Sequence, residues 1–268
     1  MEMPTNETAI ASNRDAWNDS ARHHKDSPEW PALLEAVTHS DFSCIDDTLR
    51  AVLEQVGVAG KDAVQVGCNN GRESLSLFAL GARSVVGIDQ SQAFLDQARE
   101  LASRSPHSAK FIEADIHHLP TELHEQFDLA LITIGVLNWM PDIAEFFRHV
   151  AQILKPGGAL VIYETHPFLE MFDPEANDPY RPDSSYFRSE PFVQTQPIVY
   201  EGKVEQQAPA SYWFVHTLGA MFSGALDAGL RISHFKEYPH SNREELYDQY
   251  EQQKAQLPLC FTWVGIKG

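Results

Sequence analysis

Cysteine is scarce and poorly spaced in this chain: Cys44, Cys68 and Cys260 are the three, and no two form a C-x-x-C pair. A disulfide framework and a thiolate zinc site are therefore not expected, and free thiols fit a reducing cytoplasm. Positive charge is the second shortage. Twenty Lys and Arg face 38 Asp and Glu, a formal net charge of −18, which opposes nucleic acid and anionic membranes because both need clustered cations. No apolar run reaches the length of a membrane span, and residues 1–19 lack the apolar core of a secretory leader. No metal is expected, since His23-His24 and His117-His118 are adjacent pairs without ligand spacing. Internal repeats and low-complexity tracts are also missing.

What is present is apolar residues enough for a sizeable core, 43% of 268. They are organised around Ala63-Val64-Gln65-Val66-Gly67-Cys68-Asn69-Asn70-Gly71-Arg72-Glu73, an apolar run that breaks into a small-residue turn and then a helical pattern. Backbone at Gly67 and Gly71 can approach a ligand closely, beside helix-start N–H groups. A dinucleotide fingerprint would put glycine at 67, 69 and 72, where Gly67, Asn69 and Arg72 stand, so a nicotinamide oxidoreductase is disfavoured.

Either side of that turn the chain alternates. Residues 13–23 of a loosely held N-terminal arm read as partly helical, and Ile45, Leu49, Val52, Leu53 and Val56 share one helix face. A helix over 73–80 stops at Gly81; strands follow at 84–88, 109–114, 127–134 and 159–163, with helices between them. Asp142, three residues before Glu145, caps one helix, and Lys155-Pro156-Gly157-Gly158 ends it. From Thr165 prolines break any long helix while aromatics persist, which predicts a lid containing an antiparallel hairpin of 193–199 and 203–206. A helix from Leu218, a strand at 232–238, a polar helical segment at 242–255 and a strand at 261–266 complete the pattern. The expected fold is α/β: a doubly wound, mostly parallel seven-stranded, Rossmann-like sheet with a small antiparallel lid insertion. One domain spans 1–268, with an arm and covering helix to 60, a core at 61–165, a lid at 166–213 and a C-terminal return at 214–268.

The turn resembles motif I of the class I S-adenosylmethionine (SAM)-dependent methyltransferases, D/E-x-G-x-G-x-G, with Gln65, Gly67, Asn69 and Gly71 at its signature positions. Gln65 replaces the acid and Asn69 the middle glycine; asparagine tolerates positive φ. Gly87-Ile88-Asp89-Gln90-Ser91 resembles the ribose-binding motif II, Glu113-Ala114-Asp115-Ile116 the adenine segment, and Phe127–Leu131 and Leu154–Leu160 the signatures of strands four and five. The resemblance covers roughly residues 61–165. It implies SAM as cofactor, Asp89 on the ribose hydroxyls, Asp115 on the adenine amino group, Ile116 on an adenine face, and Gly67 with Gly71 on the methionine side, Cys68 and Asn69 of the same turn counting among the cofactor residues. Gln90 beside Asp89, and Thr133 and Ile134 after strand four, line the same pocket in that reading.

Methyl transfer from a sulfonium is a direct displacement, so the protein chiefly aligns donor and acceptor and excludes water. A histidine near its working pH could take a proton from the acceptor. His216 is the candidate base; His166, Trp17, Asn138, Trp139 and Trp213 are candidates for the acceptor pocket, whose aromatic walls suit a small, partly apolar molecule. The sequence leaves room for a homodimer. A non-catalytic SAM- or nucleotide-binding regulator is the alternative, because Gln65 and Asn69 depart from motif I.

Overall fold

The computed structural model describes residues 4–200 and 204–268. Its sheet grows from β1 (Asp62–Val66), β2 (Ser84–Asp89), β3 (Ala109–Glu113), β4 (Phe127–Thr133) and β5 (Leu154–Thr165), of which β1, β4 and the second half of β5 are buried on both faces while β3 at the edge is not. With β8 (Leu230–Tyr238) and β9 (Cys260–Lys267) they form seven strands in the order β3-β2-β1-β4-β5-β9-β8. The first five are mutually parallel, and β9 runs antiparallel to both β5 and β8. This is the doubly wound, mostly parallel seven-stranded sheet expected from the sequence, and the order reverses between β1 and β4. Such a switch point opens a crevice beyond the carboxyl ends of the strands.

Helices fill both faces. On one, α3 (Asp47–Val56) packs Leu49, Val52 and Leu53 onto β1, β4 and β5. On the other, α6 (Ile143–Ile153) and α7 (Leu218–Asp227) bring Phe146, Phe147, Val150 and Met221 to Ile132, Ile162 and Trp263. The capping predicted at Asp142 is present, its Oδ1 accepting Glu145 N–H at 3.0 Å. Two further helices, α4 (Arg72–Ser76) and α5 (Gln92–Arg104), follow β1 and β2.

Four local expectations change. The N-terminal arm is a regular 20-residue helix, α1 (Asn6–Lys25), followed by α2 (Glu29–Ala36). The helix expected over 73–80 is α-helical only to Ser76 and tightens to 3₁₀ over Leu77–Leu80, before Gly81 caps it in the left-handed conformation. The segment expected as helix at 242–255 holds only a 3₁₀ stretch, Glu245–Tyr250. In the lid, β6 (Phe192–Gln194) pairs with β7 (Ser211–Trp213) and not with residues 204–206; part of the expected hairpin, at 201–203, lies outside the described residues. The reason lies in α1. Asn13 Oδ1 accepts Tyr212 N–H at 2.7 Å and its Nδ2 donates to Tyr212 O at 3.0 Å, fixing residues 211–213 as the strand β6 can reach. Ser12 Oγ on Ala210 O, Ile198 N–H on Ser20 Oγ and His24 Nε2 on Ile198 O tie more of the lid to the same helix.

Candidate active site

The turn after β1 is held by backbone first. Gly67 and Cys68 N–H donate to Ile88 O at 2.8 and 3.0 Å, locking the turn to the end of β2. Gly67, Asn69 and Gly71 all take positive φ (68°, 50° and 74°). A Cβ on Gly67 would lie 2.7 Å from Val136 Cγ2, and one on Gly71 2.6 Å from Phe111 Cε1, so glycine is required for space as well as for φ. Asn69 reaches the same conformation with a side chain and uses it, its Oδ1 accepting Asn70 N–H at 2.8 Å. Gln65, at the position of the motif I acid, is 1% exposed and engaged at both ends: Ser74 Oγ donates to its Oε1 and its Nε2 donates to Thr133 Oγ1 at 3.1 Å. It fixes the floor between β1 and β4 without a charge.

Asp89 stands at the end of β2. Its Oδ2 accepts Asn69 N–H and its Oδ1 accepts Ser91 N–H, both at 2.8 Å. Burial pushes this carboxyl up while those N–H groups hold it down, with a net rise. One bond per oxygen leaves lone pairs on both for hydroxyl donors. Asp115 differs: its Oδ1 takes His117 N–H and Nδ1, and its Oδ2 takes His118 Nδ1. Burial raises this carboxyl, yet the histidine bonds outweigh it and hold it below the usual range.

A cavity of about 910 Å³ runs along the carboxyl ends of β1, β2 and β4. Of the residues proposed from the sequence, Gly67, Cys68, Asn69, Asp89, Gln90, Asp115, Ile116, Thr133, Ile134, Trp17, Trp139 and Trp213 line it; Gly71 sits behind it as the turn's pivot. The aromatic wall is continuous, since Trp139 lies 5.3 Å from Trp17 and 4.9 Å from Trp213, ring centre to ring centre.

Three proposed residues fall elsewhere. His216 does not line the cavity; it is 8% exposed and its Nε2 donates to Met140 O at 2.8 Å. Burial lowers its pKa, and with Nε2 spent on Met140 O and no face on the cavity it does not reach an acceptor there. Its assignment as base is therefore corrected to an anchor of the loop after β4. His166 is also buried and fully engaged, its Nε2 on Glu237 Oε1 at 3.0 Å and its Nδ1 accepting Phe168 N–H at 3.1 Å. Asn138 Nδ2 donates to Phe214 O at 2.8 Å, knitting that loop to the lid. Both are corrected from acceptor contacts to framework.

The sequence reading also missed wall residues: Trp30, Arg72, Tyr200, Arg243 and Glu244. It missed Glu164 as well, 1% exposed just behind the cavity, whose carboxylate accepts N–H from Gly135 (2.7 Å), Leu137 and Thr165 (3.2 Å each). Burial raises it to about 7 against those bonds. Among the described residues no group of three or more His, Cys, Asp or Glu is placed to hold a metal, and no helix is long and apolar enough to cross a membrane.

Residues 64–162 match a family model described as a methyltransferase domain. Residues 64–162 therefore carry a methyltransferase domain. Over 137 residues the domain region is 33% identical to a ubiquinone biosynthesis O-methyltransferase of Pseudomonas fluorescens, covering 47% of this chain and 58% of that protein. Over 109 residues it is 33% identical to a tRNA U34 carboxymethyltransferase of Idiomarina loihiensis, covering 39% and 33%. The chain thus spans less than two thirds of the curated relatives it matches. In fold it resembles an S-adenosylmethionine-dependent methyltransferase from Mesorhizobium loti (TM-score 0.56, 22% identity, covering 91% and 99%). It also resembles magnesium protoporphyrin IX methyltransferase from Synechocystis with bound SAH (TM-score 0.56, 13% identity, covering 97% and 100%).

SAM is the donor implied by the sequence motifs, and the residues present fit it. The fit rests on the turn backbone at Gly67–Asn69, which faces the cavity, and on the unused acceptor capacity of Asp89 beside it. Asp89→Ala should weaken SAM binding by roughly 1–3 kcal/mol through loss of charge-assisted hydrogen bonds. Calorimetry showing an unchanged affinity would remove Asp89 from the site. His216→Ala should lower stability by about 1–3 kcal/mol, because Met140 O loses its buried donor. Turnover at saturating substrate should stay within about threefold of wild type; a drop of about 10²-fold, at unchanged SAM affinity, would restore the histidine to the chemistry.

Proposed function

We propose that this protein transfers a methyl group from SAM to a small-molecule acceptor enclosed between the sheet and the lid. The observation that carries the reading is a single roofed cavity, which joins the SAM-motif residues to an aromatic wall of Trp17, Trp139 and Trp213. When bound, SAM supplies the electrophilic methyl group. In this reading Asp89 receives the ribose hydroxyls and the Gly67–Gly71 backbone receives the methionine side. Ile116 lies on the adenine; Asp115, with both oxygens engaged by histidines, orders that loop and offers its remaining lone pairs. Thr133, pinned by Gln65, and Ile134 set the floor where donor and acceptor meet.

The protein's contribution is then alignment and exclusion of water. Neither His166 nor His216 lines the cavity, but His23, His24 and His117 do, and His117 Nε2 has no hydrogen-bond partner among the described residues, so any histidine base in this reading comes from these three. A tRNA acceptor, suggested by one relative, finds less support. Among the described residues the only Lys or Arg side chains lining the cavity are Arg72 and Arg243, and a chain of net charge −18 repels a polyanion.

Methyl-tritiated SAM incubated with the protein, and separately with a cell-extract ultrafiltrate or with bulk tRNA, tests this. Label transferred to ultrafiltrate compounds is the expected result. Label in tRNA alone would overturn the small-molecule reading, and SAM binding without any transfer would favour a regulator.

A further inference from the structure

Arg72 immediately follows Gly71 and lines the cavity with its guanidinium. Its Nε donates to Glu73 Oε1 at 3.1 Å, and the Tyr200 ring centre lies 6.0 Å from its Cζ. Among the described residues, Nη1 and Nη2 have no hydrogen-bond partner. A guanidinium carries five N–H donors in a rigid fork, so the edge suited to a planar anion is the unused one. The group is also held in place. Glu73 is 7% exposed, and the same Oε1 also accepts Arg243 Nη2 at 3.5 Å. Arg243 itself is engaged elsewhere: Nη1 donates to Cys44 O at 2.9 Å and Nε lies 3.8 Å from Asp46.

On the cavity wall one cation therefore has its anion-binding edge free, in a chain that is otherwise strongly acidic. Beside it are flat apolar surfaces: Tyr200 lies 6.4 Å from Trp17, which leads to Trp139 and Trp213. Fixed guanidinium forks match carboxylates in bidentate geometry, and aromatic walls match a planar or hydrocarbon body.

Resting on the methyltransferase reading above, we propose that the acceptor is a carboxylic acid whose carboxylate docks on the Nη1–Nη2 edge of Arg72 while its apolar body lies along Tyr200 and the tryptophans. Arg72 is then the residue that selects acids over their uncharged analogues. The same fork could instead receive the carboxylate of SAM's own methionine, and the two sources separate experimentally.

The test uses the full chain saturated with S-adenosylhomocysteine and a panel of aromatic and aliphatic monocarboxylates, benzoate and phenylacetate among them, each paired with its amide. Calorimetry or quenching of tryptophan fluorescence reads binding. In wild type at least one acid should bind tenfold or more tightly than its amide. Arg72→Gln should abolish that preference while S-adenosylhomocysteine affinity stays within about twofold, and Arg72→Lys should retain part of it. Glu73 keeps Arg243 as counter-ion in both variants, and an unchanged thermal midpoint checks that they fold. Three results overturn the proposal: no acid binding in preference to its amide, an acid preference that survives in Arg72→Gln, or an Arg72→Gln whose main loss is tenfold or more in S-adenosylhomocysteine affinity. Wild-type protein that fails to bind S-adenosylhomocysteine at all would instead remove the methyltransferase reading itself.

Discussion

Gly71→Ala should destabilise the protein by about 2–5 kcal/mol and abolish measurable SAM binding, although it adds one methyl group. Two costs combine. A side chain at a φ of +74° costs about 1–2 kcal/mol in the left-handed region. The new Cβ would also stand 2.6 Å from Phe111 Cε1 and 3.1 Å from Ala98 Cβ, an overpacking that costs about 1–3 kcal/mol. Relief by backbone movement would drag Gly71 N–H from Cys68 O, now 2.8 Å away, and so move the turn that meets the cofactor. Urea denaturation and calorimetry measure the two effects. Gly71→Ala combined with Phe111→Leu should recover part of the stability, because the second change removes the ring the first strikes. A single variant within about 0.5 kcal/mol of wild type would mean that the turn is softer than described.

The second large effect is a pH dependence of stability centred on Glu164. Its folded pKa, raised by burial to about 7, stands above the ordinary glutamate value of 4.5. The folded state therefore holds a proton that the unfolded chain has already released between those values. Stability from this group is complete below about pH 4.5 and is lost as pH rises to about 7, by roughly 3 kcal/mol. Glu164→Gln cannot titrate, so the stability of wild type relative to the variant should fall across that window and level off above it. Denaturant midpoints at pH 4.5, 6 and 8 give the comparison. A difference that stays flat, or grows with pH, would show that the N–H groups of Gly135, Leu137 and Thr165 outweigh burial and hold the carboxylate ionised.

The parallel core was legible in the sequence because its chemistry is loud: β4 is an uninterrupted apolar run, and turns rich in glycine punctuate the strands around it. The cofactor side followed from the spacing of Gly67, Asp89 and Asp115 along strand ends. α1 was quiet for the opposite reason. Its buried residues are Ala9, Asn13, Ala16, Ser20 and Ala21, a face of small and polar side chains that satisfies the lid's backbone instead of filling a core, so no apolar stripe announced it. The histidines fail differently. Position in the chain placed His166 and His216 near the strand ends, but only the hydrogen bonds to Glu237 and Met140 show where their ring nitrogens are spent. Arg72 was hidden by the motif it adjoins, because the glycine spacing carries the signal of the turn and a single arginine beside it carries none.

The bond pair between Asn13 and Tyr212 has a consequence for the protein's behaviour at high concentration. β7 is a border strand of a two-stranded sheet, and the N–H and C=O of Tyr212 would be offered to any other extended chain that came alongside. One asparagine amide takes both groups, as a neighbouring strand would, and closes that position to strand addition. The helix that roofs the cavity therefore also acts as a guard against self-association, protecting the lid's border from pairing with the lid of a second molecule.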